Sequence, residues 1–170
     1  KPNVLLAFFG FNESFSGEKG LAKFEADLEG FLKTPQAIDQ FTSARSQWDK
    51  TADKDVDLAK LDTLRQIVLV TPLAHENLND PSLPDGTARN IDLKLYADAM
   101  KRVAAKHQVP VVDLFSASQR LSQTAGDKSL TINGVHLSEH GDAVIGAAMD
   151  EALFGAPAES SSKVDLARLK

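Results

Sequence analysis

The chain has 170 residues, 42 % hydrophobic and 25 % charged, with a net charge of −5 and no cysteine. That is an ordinary balance for one globular domain with a sizeable core. The acidic surplus argues against nucleic acid or an anionic membrane as partner. The lack of Cys excludes disulfides and thiolate metal sites but leaves the compartment open, secreted or periplasmic included, and no apolar run approaches the roughly 18 residues a membrane span needs.

Val4 to Phe9 is apolar at every position, the pattern of a strand covered on both faces. Such a strand needs neighbours on both edges. Only Lys1, Pro2 and Asn3 precede it, so the expectation is that a strand and helix upstream of this chain complete the sheet, the alternative being an edge strand covered by helices. Gly10 to Gly17 reads as a loop, and Gly10 permits the close backbone approach of a ligand lip. A helix follows from about Glu18 to Lys33, with Leu21, Phe24, Leu28 and Phe31 inward, and Pro35 stops it. Residues 36–64 read as a surface excursion in which Trp48 packs rather than binds.

Gln66 to Val70 is the second strand, closed by Pro72. His75 and Glu76 then lie on a rim loop at the strand's C-terminal end, where open α/β sheets bind ligands. His75 is a candidate substrate contact, or else a loop histidine bonded to backbone. Asn90 reads as the N-cap of a helix running to about His107, with Leu93, Tyr96, Met100, Val103 and Ala104 buried. Val109 to Leu114 is the third strand, with Asp113 a structural carboxylate near its end, and Ser116 to Thr124 a short helix. Ser138 caps a last helix with Asp142 in its first turns and Val144, Ile145, Ala148, Met149, Ala152 and Leu153 inward. The domain is read as residues 1–155, and 156–170 as a linker or the start of a following segment. Strands alternating with helices imply a parallel sheet with helices on both faces, a three-layer α/β/α domain.

Two stretches look ready for chemistry. Asn133-Gly134-Val135-His136 is a short turn that delivers a histidine just before a helix, and an imidazole held there can move a proton at neutral pH. Gly10-Phe11-Asn12-Glu13 answers it from the other end of the chain, where an apolar run stops at a glycine and an amide. His136 and His140 stand four apart, but no Glu completes a His-Glu-x-x-His zinc pattern, and no metal is expected.

In their order, and in their places after a buried strand and before a terminal helix, these two blocks resemble the SGNH (GDSL-type) hydrolases. The likeness is to a divergent branch found inside multidomain proteins. It covers roughly residues 3–155. It implies a flavodoxin-like fold with a parallel sheet of about five strands, and a cofactor-free ester hydrolase acting on small esters, acetyl groups of carbohydrate among them. It makes His136 the general base and Asn12 the oxyanion donor, with Gly10 and His75 near the substrate. Two departures stand out. The family's nucleophile block has no match here, since neither Ser14 nor Ser16 lies in a Gly-x-Ser-x-Gly elbow. Asn133 replaces the family's Asp, for which Asp142 or Asp113 are the alternative acids. The rival expectation is a degenerate member, kept as a binding module in a larger protein. A nucleotide-binding domain is disfavoured, because no Gly-rich phosphate loop follows any strand.

Overall fold

A computed structural model of the chain describes residues 4–33, 66–124 and 128–155. The expected excursion over 36–64, with Trp48, and the expected linker beyond 155 lie outside the described residues. The elements are β1 (Val4–Phe8), a single 3-10 turn (Glu13–Ser16), α1 (Gly17–Lys33), β2 (Gln66–Val70), α2 (Thr87–His107), β3 (Val111–Val112), α3 (Leu114–Thr124) and α4 (Glu139–Phe154). The strands are parallel in the order β1-β2-β3, with Leu6 opposite Val68, Phe8 opposite Val70, and Val70 opposite Val112.

The alternation of strand side chains divides the core in two. Ala7 and Leu69 face one side, where Phe24 and Leu28 of α1 meet Tyr96, Met100 and Val103 of α2. Val68, Val70 and Val112 face the other, packed with Leu114, Leu130 and Ile145. The strand order advances in one direction, so two right-handed crossovers must lie on the same face. That is where α1 and α2 are. The opposite face is covered by α4 together with Leu114 and Leu121 of α3, the two helices that come after the last strand. The three-layer α/β/α expectation therefore holds, and the helical stripe expected of α1 faces the core, with Phe24 and Leu28 buried and Leu21 and Phe31 partly so.

Five local expectations change. β1 is not covered on two sides: Val4, Leu6 and Phe8 are 48 %, 37 % and 58 % exposed, while their β2 counterparts Val68 and Val70 are buried beneath α4. Among the described residues β1 is an edge strand. The Gly10–Gly17 loop contains the 3-10 turn. Helix α2 starts at Thr87 rather than after Asn90, because the Asp85 carboxylate accepts from the Thr87 N–H (2.8 Å) and hydroxyl (2.6 Å). The third strand shrinks to two residues. Asp113 accepts from the Ser116 N–H (3.0 Å) and hydroxyl (2.8 Å), so helix α3 begins directly after it. Burial pushes the Asp113 carboxyl up, but the bonds from Ser116 and Lys101 outweigh it and hold the group below its ordinary value. Finally, Ala152 is exposed, bordering an open groove between α3 and α4.

Candidate active site

The Asn12 loop is built from the strand end outward. Gly10 has φ +93°, and a Cβ there would stand 3.3 Å from both Met100 Sδ and Pro72 Cδ, so only glycine suits this turn. The Gly10 N–H donates to Glu13 Oε2 (2.9 Å) and its carbonyl accepts from the Ser14 N–H (3.2 Å). Arg89 of α2 reaches across, donating from Nη2 to Phe11 O (2.8 Å) and Ser14 Oγ (2.6 Å) while its guanidinium lies 3.7 Å from the centre of the Phe15 ring. The Ser14 hydroxyl is fully buried and donates to Phe11 O at 2.6 Å. It supports the loop. Asn12 precedes the 3-10 turn, is exposed, and makes no side-chain capping bond. Its amide is thus not engaged in capping its own turn.

The histidine turn is a second small unit. Thr131 and Leu137 form an antiparallel bridge, closed by bonds from Ile132 N–H to His136 O (2.9 Å) and from Ser138 N–H to Leu130 O (2.8 Å). Gly134 at the tip has φ +87°. Asn133 Oδ1 accepts from the backbone N–H groups of Val135 (3.2 Å) and His136 (2.9 Å), which settles which end of the amide is oxygen. The same Oδ1 lies 3.1 Å from His136 Nδ1, with Nδ2 at 3.0 Å. A proton on Nδ1 donating to Oδ1 leaves a lone pair on Nε2, the tautomer a general base needs. The Ser138 hydroxyl accepts from the Gly141 N–H (3.0 Å), as expected of a cap.

Both units border one cavity of about 360 Å³ at the C-terminal ends of the strands. Asn12, Glu13, His75, Gly134 and Val135 line it together with the apolar Phe8, Phe9 and Phe11. His136, the next residue after Val135, is exposed and is not part of the lining. Asp113 is engaged by Lys101 (3.0 Å) and Ser116, Asp142 is exposed, and the side chain that meets His136 Nδ1 is Asn133. No serine borders the cavity among the described residues.

His75 is more enclosed than a rim histidine would be. Asn90, expected as a cap, instead accepts from the His75 N–H (2.7 Å) and donates to its carbonyl (2.8 Å). The ring lies between two glycines: a Cβ on Gly86 would come 2.7 Å from His75 Cδ2, and one on Gly134 would come 2.3 Å from Nε2. Among the described residues the buried Nε2 has no hydrogen-bond partner. Sequence reasoning missed Arg89 altogether and gave Glu76 no role. One signal was available for Arg89: a cation in the first turn of a helix opposes the helix dipole, so it needs another use.

A comparison of the sequence with family models finds no match, and one with curated proteins finds none either. Solved structures do match. An alpha/beta hydrolase enzyme from the metagenome of Lake Arreo is 20 % identical with a TM-score of 0.58, over 93 % of this chain and 62 % of that one. An acetylxylan esterase from Geobacillus stearothermophilus is 19 % identical with a TM-score of 0.55, over 91 % and 60 %. A lipase/acylhydrolase from Enterococcus faecalis is 20 % identical with a TM-score of 0.51, over 94 % and 66 %. The fold is therefore the α/β fold of these hydrolases, and the chain spans about three fifths of the length of the first two, 62 % and 60 %. No helix among the described residues is long and apolar enough to cross a membrane.

Proposed function

We propose that this chain carries the base and the oxyanion donor of an SGNH-type serine ester hydrolase. The single observation behind this is that the Asn12 loop and the Asn133–His136 turn border one cavity at the strands' C-terminal edge. In the proposed reaction a serine Oγ attacks the ester carbonyl while His136 Nε2 takes its proton. Asn12 donates to the oxyanion of the tetrahedral intermediate, and the imidazolium returns the proton to the leaving alcohol. Water then repeats the sequence on the acyl-enzyme.

The serine comes, on this reading, from a segment beyond the 170 residues that pairs along β1. The edge position of β1 among the described residues supports the pairing, and the exposed row of Val4, Leu6 and Phe8 supports a further element over that face, because the same face of β2 is already covered. The likeness to an acetylxylan esterase and a cavity lined by three phenylalanines support small acyl groups on carbohydrate as substrates. A binding module of the same fold is the alternative, favoured by Asn133 and by the lack of a serine on the cavity wall among the described residues.

The two separate on 4-nitrophenyl acetate with the full-length protein. Turnover together with labelling of one serine by a fluorophosphonate supports the hydrolase; neither reaction, in a folded protein, supports the binding module. Asn12→Ala is expected to lower kcat about a hundredfold with KM nearly unchanged, the signature of a donor used in the transition state. A change confined to KM would remove Asn12 from that role. Asn133→Asp is expected to raise kcat about tenfold or more, since a carboxylate keeps both backbone bonds and also stabilises the imidazolium. An unchanged or lower kcat would mean that the amide is already the better partner.

A further inference from the structure

Gly134, two residues before His136, is tied to Glu76 of another loop directly at its carbonyl and through Thr131 at its N–H. Its carbonyl accepts from the Glu76 N–H at 2.9 Å. Its own N–H donates to Thr131 Oγ1 at 3.0 Å, and that hydroxyl donates in turn to Glu76 Oε2 at 2.6 Å. The same carboxylate accepts from the Thr131 N–H (2.7 Å) and, at Oε1, from the Leu130 N–H (3.0 Å). Thr131 and Leu130 are 5 % and 2 % exposed, so these bonds lie away from competing water. The His75 ring, beside Glu76, closes the space a side chain at position 134 would occupy.

We infer that Glu76 and Thr131 are positioning residues for His136. They lock the turn whose Asn133 holds the imidazole, and so set the direction in which Nε2 points. Carboxylates bonded to several N–H groups make the strong, charge-assisted kind of hydrogen bond. A turn with a glycine at positive φ has little stiffness of its own. The stiffness comes from the loop after β2, which ties the base to the sheet's edge.

The inference rests on the ester-hydrolase reading for its catalytic consequence but not for its structural content, and the test reads both. Thr131→Val keeps the shape and removes the hydroxyl that links Gly134 to Glu76, Thr131→Ser restores it, and Glu76→Gln replaces one acceptor oxygen by a donor. In the full-length protein, long-range nitrogen–proton spectra of the His136 ring report the tautomer. The Nδ1–H form is expected to dominate in the parent and in Thr131→Ser, and to give way to a tautomer mixture in Thr131→Val and Glu76→Gln. On 4-nitrophenyl acetate the last two are expected to lose at least about tenfold in kcat with KM within about twofold, and Thr131→Ser to stay near the parent. Should Thr131→Val not fold, Glu76→Gln carries both readings. Ring signals and kcat unchanged in folded Glu76→Gln or Thr131→Val would overturn the role. A parent protein with no esterase activity whose His136 tautomer still responds would leave the clamp standing and remove the hydrolase reading alone.

Discussion

Replacing His136 by alanine is expected to lower kcat on 4-nitrophenyl acetate by about a thousandfold or more, with the fold intact. Two magnitudes from serine catalysis bound the effect. Loss of the histidine alone from a complete triad costs up to roughly a millionfold. Part of that advantage belongs to the acid behind the histidine, and here an amide stands in its place. An Asp→Asn change in a serine protease costs about ten thousandfold, chiefly by leaving the wrong tautomer. In this chain Oδ1 of Asn133 accepts from the Val135 and His136 N–H groups and lies 3.1 Å from His136 Nδ1, with Nδ2 at 3.0 Å; with the ring proton on Nδ1 the useful tautomer is kept and only the charge is lost. The loss on removing His136 should therefore fall short of the full-triad figure while staying large. Because the side chain is exposed, its removal opens no core cavity, and the thermal midpoint should not move. Equal turnover by the two proteins would place the base elsewhere.

The largest expected effect on stability is at Gly141. It lies in the first turn of α4, where the helix meets the backbone of the loop that leads to the histidine turn. A Cβ at this position would stand 1.8 Å from the Leu130 carbonyl oxygen and 2.8 Å from its carbon. Neither is the movable end of a side chain. The Leu130 oxygen is itself fixed by the Ser138 N–H at 2.8 Å. Gly141→Ala must push helix and loop apart, and is expected to cost about 3 kcal/mol or more, a fall of roughly 10 °C in Tm. Gly146, one and a half turns on, has nothing within 4 Å of its would-be Cβ. There alanine should stabilise by up to about 1 kcal/mol through helix propensity alone. Denaturant or thermal melts of the two variants check the pair, and a Gly141→Ala protein as stable as its parent would refute the close approach.

Repeating patterns carried most of the fold into view. The row of Phe24 and Leu28, the apolar run Ile67 to Val70, and Ser138 before α4 each declare themselves within a few residues, because burial of one face and capping of one end are local demands. Asn90 shows where that reasoning runs out. It has the chemistry of a cap, but Asp85 already accepts from the first turn of α2, and the Asn90 amide serves the backbone of His75 instead. β1 shows the same limit: the composition of Val4 to Phe8 signals burial, but which face is covered depends on where α4 lies.

The order of strands and helices, the parallel sheet, and the two motif-bearing ends of the chain followed from the residues themselves, since periodicity and turn chemistry act over short stretches. The tertiary structure alone decided how those ends are held: Arg89 on the Asn12 loop, and Glu76 through Thr131 on Gly134. Such bonds join groups far apart along the chain and follow no period. Whether a polar side chain finds its partner is settled only when packing of the core clusters brings the loops together.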